Sequence, residues 1–186
     1  LGCAAAEKPE DGVRGSTAAP APTSGRTAGP AATGVASDGY NATDLAWAQI
    51  MVPMDERTLL LLDLIAGRAG DPGLSALARR TSGTHRAELP ELRAVLTAAG
   101  ASGTNPHDGM DMKGMVTDEE LEAVAASRGA AFDTLARTYL REHFEQSLVV
   151  ARGETHSGAS ASAKRLAAEL TKRRTGQLAA LRALDG

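Results

Sequence analysis

His107-Asp108-Gly109-Met110-Asp111-Met112-Lys113-Gly114-Met115 holds three of the chain's five methionines and one of its four histidines. A pair of long helical segments lies on either side, so the stretch reads as the joint between two similar halves. Just beyond it, Thr117-Asp118-Glu119-Glu120 has the Ser/Thr-x-x-Glu spacing of a capping box, with acidic side chains where a helix dipole favours them. A short helix to about Ser127 is expected there, ended by Gly129.

The segments before the joint are periodic. Trp47, Met51, Met54, Leu61 or Leu62 and Ile65 recur at three- and four-residue steps, which predicts one buried helical stripe starting at Asn41 or Thr43. Gly70 closes that helix, and Asp71-Pro72 opens the next as an N-cap followed by proline at the first helical position. Its stripe runs through Leu74, Leu77, Thr81, His85, Glu88, Leu92 and Leu96 and stops before Gly100, with a polar middle between apolar ends. Pro53 and Pro90 interrupt these patterns and predict kinks or nearby boundaries. After the joint, a helix from about Ala131 to Arg152 carries Phe132, Leu135, Tyr139, His143 and Val150; Gly153 to Ser157 reads as a turn. The last helix carries Leu166, Leu170, Leu178 and Leu181, with Arg174 and Gln177 between them, and ends near Leu184. Strand signals are absent. The prediction is an all-α, antiparallel four-helix bundle from two helical hairpins, with a short extra helix after the methionine-rich loop, which closes one end. The bundle domain spans 41–186, its halves 41–100 and 117–186 joined by loop 101–116.

Composition agrees with helices. Apolar residues make up 42% of the chain but aromatics only 3%, so the core is built from Leu, Val, Ile and Ala. The net charge of −3, with both signs interspersed, offers no basic stripe and argues against nucleic-acid binding. Cys3 is the one cysteine, which excludes an intramolecular disulfide and a cysteine-based zinc site. Leu1-Gly2-Cys3, followed by a Gly/Ala/Pro/Ser/Thr-rich run to about residue 37 that includes Pro9, Pro20, Pro22 and Pro30, reads as a lipoprotein start: a lipidated Cys3 and a tether over residues 1–40. An extracytoplasmic protein, secreted or held at the outer face of the cytoplasmic membrane by lipid alone, is the expectation.

Residues 41 to 184 resemble the domain of unknown function family 305, bacterial secreted or lipid-anchored proteins. The resemblance rests on Gly109-Met110-Asp111-Met112-Lys113-Gly114-Met115 before the acidic helix start, on Asp44, Trp47, Met51 and Pro53, and on Phe132-Asp133. It implies a ferritin-like bundle and an association with copper. Departures fall at the family's polar positions. Met54-Asp55 and His143-Phe144 stand where it has His-His pairs, His85 and Arg174 where it has glutamines, and Leu92 and Leu181 where it has helical methionines.

Two sets of residues carry candidate chemistry. Thioethers of Met110, Met112 and Met115, with His107 nearby, form a soft ligand set suited to Cu(I), to which His143 can add an imidazole; the alternative is that these methionines fill an apolar gap. Inside the bundle, His85 and His143 fall on buried stripes, with Asp55, Glu88, Arg174 and Gln177 at comparable heights on the other helices. Because Arg174 brings positive charge into that layer, a salt-bridged structural network is favoured there over a metal. No phosphate loop, nucleophile elbow or His-Glu-x-x-His motif is present, so the chain is not expected to be an enzyme. Copper handling by a bundle with a degenerate family site is the functional expectation. A structural or partner-binding protein of the cell envelope is the alternative.

Overall fold

The computed structural model describes residues 39–185; Cys3 and the expected tether up to residue 38 lie outside the described residues. Among those residues there are five α-helices and no strands: α1 (Ala42–Arg68), α2 (Pro72–Ala98), α3 (Asp118–Ala126), α4 (Gly129–Ser157) and α5 (Ala161–Arg182). None is long and apolar enough to cross a membrane.

Local capping chemistry sets the helix starts. Asn41 accepts from the N–H groups of Thr43 and Asp44 while Asp44 reaches back to the Asn41 N–H, a complete capping box. Asp71 caps α2 ahead of Pro72, Thr117 and Glu120 cap each other at α3, and Ser160 caps α5. Helices α1 and α2 pack as one hairpin, α4 and α5 as the other, and the two meet through α1 against α4 and α2 against α5. This is the four-helix bundle read from the sequence.

The apolar core is divided in two. One cluster gathers Trp47, Met51, Met54, Leu92, Leu166 and Leu170; the other gathers Leu61, Leu62, Leu74, Phe132, Phe144 and Leu181. On each long helix, buried polar residues fall where the chain passes from one cluster to the other: Asp55 and Thr58, Thr81 to Glu88, His143 and Ser147, and Arg174.

Two expectations are corrected, those for Gly153–Ser157 and for the connector. Gly153–Ser157 is not a turn. Helix α4 continues to Ser157 and the turn falls at Gly158, because the burial of Ala151 and Glu154 outweighs the roughly 1 kcal/mol that glycine costs a helix. Pro53, buried, and Pro90, exposed, lie within the spans of α1 and α2, so no helix boundary falls at either. The methionine-bearing connector does not cap an end. Asn105 bonds to the Gln49 carbonyl, Arg57 to the Val116 carbonyl, and Arg68 to the Ala125 and Ser127 carbonyls. The chain from loop to α3 therefore runs lengthwise along α1.

Candidate metal centre

The polar layer is fully buried: Asp55, His85, Glu88, His143 and Arg174 each have no exposed surface. Each comes from the inward stripe of a different long helix, except that α2 supplies both His85 and Glu88 from adjacent turns. Arg174 is the electrostatic hub. Its Nη2 donates to Asp55 Oδ1 at 2.8 Å and to Glu88 Oε2 at 2.7 Å, and its Nη1 to Gln177 Oε1 at 3.1 Å. Arg173, partly exposed, adds a contact to Glu88 Oε1 at 3.2 Å. Two buried carboxylates thus share one buried guanidinium, the geometry in which an ion pair survives desolvation.

Against this hub stand the two imidazoles. His85 Nε2 and His143 Nε2 are 3.0 Å apart, and Asp55 Oδ1 lies 3.5 Å from the first and 3.7 Å from the second. On its far side His85 Nδ1 is 3.1 Å from the Thr81 carbonyl oxygen. His143 Nδ1 is 2.8 Å from Thr58 Oγ1 and 3.3 Å from the Gly114 carbonyl oxygen. Asp55 Oδ2 is buried without a hydrogen-bond partner.

Burial and the adjacent Arg174 charge hold both histidines neutral. His85 lies well below its ordinary pKa, with His143 adding to the effect, and His143 is pushed down to about 3 against the opposing pull of the Gly114 carbonyl. Burial raises Asp55 to about 7; Arg174 opposes the rise and Glu88 adds to it. Near neutral pH the layer therefore offers neutral imidazole nitrogens and a carboxyl that is part ionised.

These three atoms fit a metal ion's donor set. Ligand atoms about 2.0–2.1 Å from a tetrahedral ion sit roughly 3.3 Å from one another, and the observed separations of 3.0 to 3.7 Å bracket that figure. Asp55, His85 and His143 form the one such His/Cys/Asp/Glu group among the described residues. Two imidazoles and a carboxylate suit copper or zinc, not magnesium or calcium. With Asp55 ionised, Asp55 and Glu88 stand against the buried Arg174 and the partly exposed Arg173, so the layer's charges balance.

The structure brings Asp55, His85, Glu88, His143 and Arg174 together, with Gln177 bonded to Arg174. It distributes the loop set differently. Met115 is buried in the apolar core and Met112 packs partly buried against it. Met110 is 46% exposed and lines a surface cleft with Met115, Arg57 and Asp118. His107 is partly buried, its N–H bonded to Asn105. The loop reaches the buried layer through the backbone of Gly114. Sequence reasoning missed Thr58, Thr81 and Gly114 as neighbours of the imidazoles. Thr58 had a signal, a polar residue one turn after Met54 on a buried stripe; a backbone carbonyl has none.

The family model for a domain of unknown function, DUF305, matches residues 44–185. No curated protein matches the chain. Similar solved structures include a Streptomyces coelicolor protein of the DUF305 type, provisionally classed as secreted: 20% identity, TM-score 0.66, covering 76% of this chain and 91% of that one. A DUF305 fragment from Deinococcus radiodurans is similar at 15% identity and TM-score 0.65, covering 79% and 97%. So is CopM in its Cu(II)-bound form, at 16% identity and TM-score 0.66, covering 76% and 94%; CopM has also been solved with Cu(I) and with silver. At these identities the likeness establishes the fold.

Proposed function

The chain belongs to the DUF305 family, and from that premise we propose that it is an extracytoplasmic copper-handling bundle whose Asp55, His85 and His143 hold the ion. One observation carries the reading: two neutral imidazole nitrogens and a carboxylate oxygen, from three helices, converge within 3.7 Å in a buried layer. Copper is favoured over other borderline ions because Cu(II) tops the affinity order for nitrogen and oxygen donors and CopM, a structural neighbour, holds copper in both oxidation states. Binding, not catalysis, is the role proposed, in keeping with a sequence that carries none of the catalytic motifs considered above. Extracytoplasmic placement rests on the Streptomyces neighbour's classification and on the lipoprotein-like start; lipid attachment at Cys3 is checked by the mass of the protein recovered from membranes.

Arg174 supports a second reading, in which the layer is a purely structural ion-pair network and the protein presents a surface to an envelope partner. Titration with Cu(II), and with Cu(I) and Ag(I) against a competing chelator, separates the two. Under the copper reading the wild type binds one ion, and His85→Leu and His143→Leu each weaken binding by more than the roughly 10–100-fold typical of losing a supporting residue. Replacing Met110, Met112 and Met115 together by Leu has a smaller effect. Absence of binding favours the structural network, and loss confined to the methionine variant moves the site to the loop.

A further inference from the structure

The geometry points to Thr58 and the Gly114 carbonyl as the pair that decides which nitrogen of His143 carries its proton, and hence whether His143 Nε2 is free to take an ion. This rests on the copper reading for its purpose, but not for its observation. The Thr81 carbonyl can only accept, so His85 is protonated at Nδ1 and presents a bare Nε2. Two bare nitrogens 3.0 Å apart would repel. In the ion-free protein His143 therefore carries its proton on Nε2 and donates it to His85 Nε2. Its Nδ1 then needs a donor, and the Thr58 hydroxyl at 2.8 Å supplies one. The Gly114 carbonyl, 3.3 Å away, opposes this arrangement because it too can only accept.

The other tautomer uses the same atoms in reverse. With the proton on Nδ1, His143 donates to the Gly114 carbonyl and to Thr58 Oγ1, whose hydroxyl rotates and keeps its own hydrogen. Nε2 is then bare and faces Asp55 Oδ1 and His85 Nε2. The proton lost from Nε2 is regained at Nδ1, so the ring stays neutral. Thr58 favours the first state and Gly114 the second.

Gly114 is built for this position. Its φ is +75°, and a Cβ there would lie 2.5 Å from Gln146 Cβ and 3.0 Å from the Glu142 carbonyl oxygen. Only glycine lets the loop press its backbone onto α4 beside His143. The methionine-bearing connector thus reaches the buried layer through a carbonyl that sets a ligand's tautomer, the role that outer hydrogen-bond partners play at metal-binding histidines. Thr58 and Gly114 are positioning residues.

Nitrogen-15 NMR of the imidazoles in ion-free protein tests this directly. The expected result is His85 with Nδ1–H and His143 with Nε2–H in the wild type and in Thr58→Ser, and a His143 population shifted toward Nδ1–H in Thr58→Val, where the His85 Nε2 contact alone holds the proton on Nε2 against the Gly114 carbonyl. Thr58→Val is also expected to bind Ag(I) about 3- to 10-fold tighter, because the non-binding tautomer competes less. The inference is overturned if His143 shows the same tautomer population in wild type and Thr58→Val. Should the valine variant not fold, Nδ1–H on His143 in the ion-free wild type overturns it equally. If the tautomers behave as expected but Ag(I) does not bind, the copper reading fails and the tautomer assignment stands.

Discussion

At opposite ends of the bundle, Asp44 and Asp133 do the same thing. Asp44, in the first turn of α1, accepts the N–H groups of Ala159 and Ser160 in the α4–α5 turn. Asp133, at the start of the second turn of α4, accepts those of Gly70 and Asp71 in the α1–α2 turn. Ser160 and Asp71 are themselves the N-caps of α5 and α2. Each hairpin thus ties down the other's turn, and the equivalence runs at one constant chain spacing between the halves. Carried to the middle layer, that spacing sets His85 opposite Arg174, Glu88 opposite Gln177, Met54 opposite His143 and Asp55 opposite Phe144. The ends match and the middle does not. Each half has a turn whose free N–H groups need acceptors, so both copies need the aspartate. A single charged site needs only one set of ligands and one counter-ion, so there the halves diverge.

The largest test of the contrast lies in the middle. Arg174→Met removes the guanidinium shared by Asp55 and Glu88, leaving Asp55 buried without a counter-charge and Glu88 with only the partly exposed Arg173, an expected loss of about 3–5 kcal/mol. His85→Leu, at the matching position of the other half, removes a neutral ring and is expected to cost about 1–2 kcal/mol. Urea unfolding at pH 7 measures both. Equal costs would mean that the two positions are interchangeable after all.

At the ends the expectation reverses: both matched positions are costly to lose. Asp133→Ala strips the acceptor from two backbone N–H groups and should cost about 2–3 kcal/mol, as bonds to a charged acceptor do. Asp44→Ala should cost at least as much at pH 5, since it also frees the Asn41 N–H and the Glu154 carboxyl. Unfolding midpoints of the two variants check this, and a negligible cost for either would show that one hairpin's turn does not depend on its aspartate.

What could be read from the sequence follows the range of each interaction. The caps at Asn41, Asp71 and Thr117 bond to N–H groups two or three residues away, so their pattern was visible. His85, Glu88 and Arg174 stood out because they interrupt apolar stripes, and the ion-pair layer they form was expected. Gly153 misled, since a glycine marks a helix end only when its neighbours leave the core, and Ala151 and Glu154 do not. The Asp44 and Asp133 ties reach across the chain to backbone donors, which have no residue signature. For the same reason the Gly114 carbonyl was invisible while the methionines around it drew attention to sulfur. Thr58, a polar residue on a buried stripe, did carry a signal, yet its partner His143 is 85 positions distant and no local pattern names it.

One departure from symmetry remains at the ends. Glu154 is buried near Asp44, where the corresponding position of the first half is Ile65. The Glu154 oxygens meet no donor, so the hydrogen bond open to this carboxyl is one it gives to Asp44. Burial first, then the bond and the charge of Asp44, raise Glu154 from 4.5 to about 8. For Asp44, burial would raise its pKa, but the Asn41, Ala159 and Ser160 N–H groups and the Glu154 bond outweigh it and lower the value. The signs are opposite. Glu154 binds its proton more tightly folded than unfolded, so its contribution is full below about pH 4.5 and is lost as pH rises through about 8. The Asp44 contribution is present above its unfolded value near 3.8 and is lost as pH falls through its lowered one. The wild type should therefore lose stability as pH rises toward 8 and beyond. Glu154→Gln, which keeps a donor for Asp44 and cannot ionise, should flatten that slope and gain about 1–2 kcal/mol over wild type at alkaline pH. Urea midpoints at pH 5, 7 and 9 decide it: an unchanged slope in Glu154→Gln would remove the proton from this pair and leave the two ends equivalent.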